Sequence, residues 1–188
     1  MPDEWSWNMK ITLVRHGESE ANVAGFINDD PAHIVNLTER GRAQAEAASD
    51  RLRAERFTHA YASEFPRAQQ TARILLRHHV CPLHIDARLN ERHTGMNGLP
   101  VHVFSDLVHP DRLRIKPERG ESFLEQMERL RSFLDETAAR HPDGTVLAVS
   151  HESPIQAVLA LTMDDPEQIT CHGGIDNCEW VELDWPVS

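Results

Sequence analysis

The stretch Ile11-Thr12-Leu13-Val14-Arg15-His16-Gly17-Glu18-Ser19 decides how the rest of the chain reads. Ile11 to Val14 is a short apolar run of the kind a buried strand carries. It stops at an arginine and a histidine, and Gly17 then turns the chain. A cation and an imidazole are poor material for ending a core element and good material for a working surface. In open α/β sheets, ligands sit outside the carboxyl ends of the strands.

Working outward, other strands end in the same way. Thr145 to Val149 is a continuous apolar run after the turn Asp143-Gly144, which is how a central parallel strand reads, and it stops at Ser150-His151. Phe57 to Ala62 reads as a shorter strand followed by Ser63-Glu64-Phe65-Pro66-Arg67. Pro66 favours the first turn of a helix. That helix buries Ala68, Ala72 and Leu75 and runs to about His79. Arg67 then stands at a helix N-terminus beside a strand end, where backbone donors and the dipole favour an anion.

The connecting segments follow from capping and periodicity. After the first strand comes a polar loop through Asn22, Asn28, Asp29 and Asp30 to Pro31. Thr38 caps a helix with Glu39 in its first turn and Ala45, Ala48 and Leu52 on one face. Leu83 to Ile85 is a short strand, and Leu89-Asn90-Glu91-Arg92-His93-Thr94-Gly95 is a polar, exposed loop. Between Met96 and Arg119, Pro100, Pro110 and Pro117 interrupt a weak pattern, which reads as a short, partly helical excursion over one edge of the sheet. Ser122 and Glu125 form a capping box for a helix that buries Phe123, Met127, Leu130 and Leu134. Ser153-Pro154 starts a further helix through Leu161. Val181, Leu183 and Trp185 alternate with Glu182 and Asp184 in a half-buried final strand. Strands alternating with helices imply a doubly wound α/β sheet with helices on both faces.

Composition bounds the partners. At 188 residues the chain reads as one domain, 1–188, with a sizeable core. The net charge of -11 argues against nucleic acid and anionic membrane, which both demand basic surface. A small anionic substrate needs only a local basic pocket and stays open. The acidic start, with Trp5 and Trp7, lacks the pattern of a secretory signal, so the expected location is the cytoplasm. Cys81, Cys171 and Cys178 are expected to be free thiols. Cys171-His172 with Cys178 fits no common zinc spacing, so no metal site is expected there. Trp5, Trp7, Trp180 and Trp185 lie near the termini and read as packing or association surface, leaving a monomer or a homodimer.

Two strand-terminal histidines, two arginines and an exposed glutamate suit phosphoryl transfer, which mainly needs positioning and neutralisation of phosphoryl oxygens. Arg15 and Arg67 offer forked donors, and Asn22 offers an uncharged amide. The imidazole of His16 is a competent nucleophile when one nitrogen is free and the other is pinned, and nearby arginines disfavour its protonation. A carboxyl group must protonate the departing alkoxide. Glu91 is the candidate, with Glu18 and Glu152 as rivals. Nothing in this scheme requires a metal or a cofactor.

These residues resemble the histidine phosphatase superfamily, also called phosphoglycerate mutase-like. The resemblance rests on an ordered series: Leu13-Val14-Arg15-His16-Gly17-Glu18 with Asn22, Leu37 to Ala45, Ser63 with Arg67-Ala68-Gln69-Gln70-Thr71-Ala72, Leu89-Asn90-Glu91-Arg92, Gly120-Glu121-Ser122, Val149-Ser150-His151 and Asn177. It implies a three-layer α/β/α sandwich with a mostly parallel sheet and a phosphohistidine intermediate on His16. It also implies a phosphate pocket of Arg15, Arg67 and His151 with Asn22 at its margin, a cationic His151 against the phosphoryl group, and Glu91 as proton donor.

Within that family, the short interval 96–119 differs from the longer insertion of the cofactor-dependent phosphoglycerate mutases. Glu152-Ser153-Pro154 replaces the G-N-S that follows their second histidine. A short cap lets water reach the phosphohistidine, which favours a metal-independent phosphatase acting on a phosphomonoester. The substrate is a small phosphorylated compound, with a phosphoprotein left open. Mutase-type transfer and a non-catalytic phosphate-binding module remain the alternatives. Glu152 is expected either to repel polyanions or to meet a cationic part of the substrate, unless it points away.

Overall fold

The computed structural model describes residues 8–171 and 173–186. The apolar run around Leu13 forms β1 (Met9–Arg15), and four further strands follow: β2 (His59–Ala62), β3 (Leu83–Ile85), β4 (Thr145–Ser150) and β5 (Trp180–Trp185). They make a five-stranded sheet in the order β3-β2-β4-β1-β5. β1 and β2 run parallel to β4, β2 also runs parallel to β3, and only β5 is antiparallel, on the edge beside β1.

Alternation along the strands divides the core. Ile11, Leu13, Val146, Ala148 and Tyr61 pack under the helices α5 (Phe123–Arg140) and α6 (Glu152–Leu161). Val14, Leu147, Val149, Ala60 and Ala62 pack under α2 (Glu39–Arg51) and α3 (Pro66–Leu75). Both faces of β1 and β4 are therefore covered. That is why they read as unbroken apolar runs rather than as alternating ones. The result is a three-layer α/β/α sandwich. Trp185 is buried in the first core and its indole N–H donates to Asp135 at 2.9 Å, whereas Trp180 lies under the guanidinium of Arg51 at 4.1 Å. Trp5 and Trp7 lie outside the described residues.

The helix starts obey local chemistry. The hydroxyl oxygen of Thr38 accepts from the Gly41 N–H at 2.9 Å, and Ser122 and Glu125 close a reciprocal capping box at the head of α5. Gly17 and Gly41 are where two backbones nearly touch. A Cβ on Gly17 would come to 2.4 Å from the Gly41 carbonyl oxygen, and one on Gly41 to 2.0 Å from that of Glu18. The loop after β1 is thereby seated on the first turn of α2.

Several expectations change. The segment after β1 is not simply a loop: it forms the short helix α1 (Glu20–Ala24), capped reciprocally by Ser19 and Asn22. β2 starts at His59 rather than Phe57, and α3 ends at Leu75 in a single 3₁₀ turn, Leu76–His78. α6 starts directly after His151, whose backbone is extended (φ -127, ψ 173) and serves as the N-cap. Ser153 is therefore already helical, and its hydroxyl donates instead to Gln126 Oε1 at 2.7 Å. The interval 96–119 carries one helix, α4 (Val101–Val108). The Ile27 N–H donates to Leu99 O at 2.8 Å and the Val101 N–H to Gly25 O at 3.1 Å, which draws the interval across the carboxyl end of β1. No helix among the described residues is long and apolar enough to cross a membrane.

Candidate active site

The site is a consequence of strand register. Arg15 pairs with Ser150 across the parallel β1–β4 ladder, so the next residues, His16 and His151, emerge side by side. Their rings meet edge to face with centroids 5.0 Å apart. β2 lies on the other side of β4 and delivers α3, whose second residue is Arg67. Three loops thus converge at one end of the sheet.

His16 is 3% exposed, and its Nδ1 lies 2.7 Å from the Gly17 carbonyl oxygen. A carbonyl only accepts, so Nδ1 carries the proton and Nε2 keeps its lone pair. Arg67 Nε donates to that lone pair at 3.1 Å. Burial first, and the Arg67 guanidinium second, hold His16 well below the ordinary imidazole range. The imidazole is neutral, with a fixed tautomer and a nucleophilic nitrogen facing a cation. Asn177 donates to the His16 carbonyl at 2.9 Å and steadies the turn. Thr71 reaches the same turn from α3, accepting from the Gly17 N–H at 3.1 Å.

Arg67 is buried, and desolvation pushes it down to about 10 despite the raising pull of Glu91. Its Nη2 donates to the Asn28 carbonyl at 3.2 Å and lies 3.2 Å from His151 Nδ1, while its Nη1 donates to Asn28 Oδ1. Asn28 was legible in the sequence only as a loop residue. It holds the guanidinium plane, and in turn its amide donates to His33 O at 3.1 Å. Asn28→Ala should leave Arg67 poorly aimed. KM is expected to rise about tenfold to a hundredfold, the worth of a hydrogen bond to a charged group. Steady-state kinetics beside a thermal melt would check this, and an unchanged KM would remove Asn28 from the site.

Arg15 leaves β1 with Nη1 on the Ile175 carbonyl and 2.7 Å from Glu152 Oε2. Its Nε is buried and has no hydrogen-bond partner among the described residues. A buried, unpaired guanidinium donor beside a nucleophile is costly unless a ligand completes it. Its geometry leaves that donor able to take an anionic oxygen.

Glu91 follows a 3₁₀ turn, Ala87–Leu89, that Ser150 anchors by donating to Leu89 O at 2.7 Å. Burial pushes its carboxyl above the usual range, against the opposing effects of the Arg92 N–H, Arg67 and Arg15. The rivals are otherwise engaged. Glu18 accepts from Thr38 at 2.8 Å and pairs with Arg40 at 3.2 Å, on the α2 side, and Glu152 is committed to Arg15. Asn22 spends Oδ1 on the Ser19 N–H at 3.0 Å, within the capping box, which leaves its NH₂ as the free end.

Arg15, His16, Asn22, Arg67 and Glu91 line one cavity of about 510 Å³. His151 does not. It is fully enclosed behind Arg67, its Nε2 2.8 Å from Ser63 Oγ and its ring edge-on to Phe65. Burial, and then Arg67 and His16, hold it well below the ordinary range. Arginine only donates, so His151 Nδ1 accepts from it and the ring is neutral here. The cationic state expected from the sequence is disfavoured while Arg67 is its neighbour. Cys81 and Cys178 are free thiols, the second buried, and Cys171-His172 falls where side chains are not described. Among the described residues, no group of three or more His, Cys, Asp or Glu is placed to hold a metal ion.

Two strand-end histidines, the first with Nε2 facing a guanidinium, together with a pair of arginines and a carboxyl raised by burial, sit on this α/β/α frame and suit phosphoryl transfer. The chain belongs to the histidine phosphatase superfamily, branch 1, whose match covers residues 11–187. It is 31% identical over 186 residues to the adenosylcobalamin/alpha-ribazole phosphatase of Salmonella typhimurium, spanning 94% of this chain and 90% of that protein. It is 32% identical over 174 residues to a metal-independent phosphoserine phosphatase of Arabidopsis thaliana, spanning 82% and 72%. Among solved structures, mycobacterial glucosyl-3-phosphoglycerate phosphatase superposes with a TM-score of 0.81 at 27% identity, over 94% of this chain and 90% of the other.

Proposed function

We propose that the protein is a metal-independent phosphatase that hydrolyses phosphomonoesters through a phosphohistidine on His16. The observation that carries this reading is the His16 imidazole, with Nδ1–H fixed on Gly17 and Nε2 facing the guanidinium of Arg67. When a phosphomonoester enters, its oxygens take Arg15 Nε, the Asn22 amide and the donors of Arg67. Arg67 then releases the His16 lone pair. Nε2 attacks phosphorus, the P–O bond to the alcohol breaks, and the Glu91 carboxyl gives its proton to the departing oxygen. A water then attacks the phosphohistidine while the Glu91 carboxylate takes its proton, which yields orthophosphate and restores both groups. His151 loses its guanidinium partner at the first step, and a phosphoryl dianion favours its protonation. With a proton taken from solvent its Nδ1 then donates to a phosphoryl oxygen in the place of the guanidinium, and the proton returns to solvent as orthophosphate leaves.

The working partner in this reading is a small phosphorylated compound, met in the cytoplasm, where the two free thiols stay reduced. The interval 96–119 acts as a short cap. Incubation with 3-phosphoglycerate and 2,3-bisphosphoglycerate, followed by phosphate release and isomer analysis, separates hydrolysis from transfer. Orthophosphate in excess of isomerised product is expected. Isomerisation faster than release would replace the phosphatase with a mutase.

A further inference from the structure

The cavity does not end at the phosphoryl group. Beside Arg15, His16 and Arg67 its lining includes an apolar set: Phe26 from the loop after α1, Phe104 and Val108 from α4, then Leu113, Phe123 and Ile169. A volume of about 510 Å³ is far more than orthophosphate fills. It lies within the range, roughly 300–1,000 Å³, of sites that enclose sizeable organic ligands.

The charges around that space are unevenly placed. At the phosphate end stands a carboxylate, Glu152, with Oε2 2.7 Å from Arg15 Nη1. Gly174 backs it closely: a Cβ there would come to 2.8 Å from Oε1. Glu152 therefore points into the site, and the sequence had left that direction open. Further out, Arg92 spends its donors on the carbonyls of Glu121 and Ile115 and lies over the rings of Phe104 and Phe123 at 4.9 and 5.8 Å. Arg112 and His109 are exposed on the cap side of the cavity. Arg112 thus offers positive charge on the cap side, and a carboxylate stands beside Arg15.

Resting on the phosphatase reading, we infer that the substrate is the phosphomonoester of a bulky, partly apolar alcohol with no second anionic group close to the ester. Glu152 is the specificity-determining residue that turns such a group away. A carboxylate or phosphate a few bonds from the reacting phosphorus meets the like charge of Glu152, which already holds Arg15 and leaves that guanidinium less able to accept a second anion. An anion at the far end of a long substrate meets Arg112 instead. Apolar bulk displaces water from the phenylalanine wall and gains affinity.

The test uses three alkyl phosphates, so that leaving-group basicity stays comparable: benzyl phosphate, glycerol 1-phosphate and 3-phosphoglycerate. In the unaltered protein, kcat/KM should be about tenfold or more higher for benzyl than for glycerol phosphate, the discrimination an apolar pocket supplies. It should be at least about tenfold lower for 3-phosphoglycerate than for glycerol phosphate, the effect of a juxtaposed like charge. Glu152→Gln should narrow the second ratio and leave the first, and Phe104→Ser should narrow the first and leave the second. A merely structural role for either residue would move all three substrates together. Equal turnover of the three esters, or ratios that neither variant alters, would overturn the inference while the phosphatase stands. Absence of turnover on every ester would sink the phosphatase reading, and this one with it.

Discussion

His16→Ala is expected to lower phosphate release by roughly 10⁴- to 10⁶-fold, the scale on which removal of a covalent nucleophile acts. The size follows from how little else in the site can substitute. His151 is fully buried with Nε2 on Ser63, and Arg67 lies between its Nδ1 and the cavity. Arg15, Arg67 and Asn22 are donors and can hold phosphate without attacking it. Phosphate affinity should therefore survive in the variant while turnover is lost. Because the ring lies at a point where β1, the Gly17 turn and α3 meet, a thermal melt belongs beside the assay. A folded variant that still hydrolysed a phosphomonoester at more than a small fraction of the original rate would place the nucleophile elsewhere.

Glu91→Gln should divide substrates by leaving group. For an alkyl phosphate, whose alkoxide needs a proton, kcat should fall by about 10²- to 10⁴-fold, and for p-nitrophenyl phosphate much less. The pH profile carries the same assignment with a definite sign. His16 is held well below its ordinary value, so attack is lost only as pH falls through that depressed value. Glu91 is held above the carboxylate range, so proton donation to a poor leaving group is lost as pH rises through the raised value. The unaltered protein should show a bell for alkyl phosphates. In Glu91→Gln, the fall on the alkaline side that belongs to the carboxyl should disappear and the acid side should remain. An unchanged bell would move the acid to another group.

Much of this frame could be read from the chain because its causes are local. The apolar runs ending at Arg15 and Ser150, the proline opening α3 and the Ser122–Glu125 box each state their element within a few residues. The candidates Arg15, His16 and Arg67 stood out because each interrupts or follows an element at a strand end, whereas Glu91 had to be weighed against Glu18 and Glu152. What could not be read depends on partners far apart in sequence. Asn28 acquires a purpose only when Arg67, on α3, comes to lie against it. Asp29 likewise reads as a loop carboxylate until it accepts from the Thr94 and Gly95 N–H groups, both at 2.7 Å, and locks the loop after α1 to the one bearing Glu91. The direction of Glu152 was ambiguous because a first-turn helix residue can face either way; Arg15 and the close backing of Gly174 decide it. The enclosure of His151 depends on Phe65 and Ser63 from the neighbouring strand end. The seat of the interval 96–119 was not legible because its short helix is apolar on several sides and is tied down by backbone hydrogen bonds to Gly25 and Ile27, which leave no mark in side-chain pattern.

The central claim is that phosphorus is carried on Nε2 of His16. The most direct test is a rapid alkaline quench of the protein with a radiolabelled phosphomonoester, followed by peptide mapping. Label is expected on the peptide containing His16, in a linkage labile to acid and stable to base, absent from His16→Ala and enriched in Glu91→Gln when p-nitrophenyl phosphate is the donor. Label on another residue, or a turning-over protein that never carries label, would contradict it.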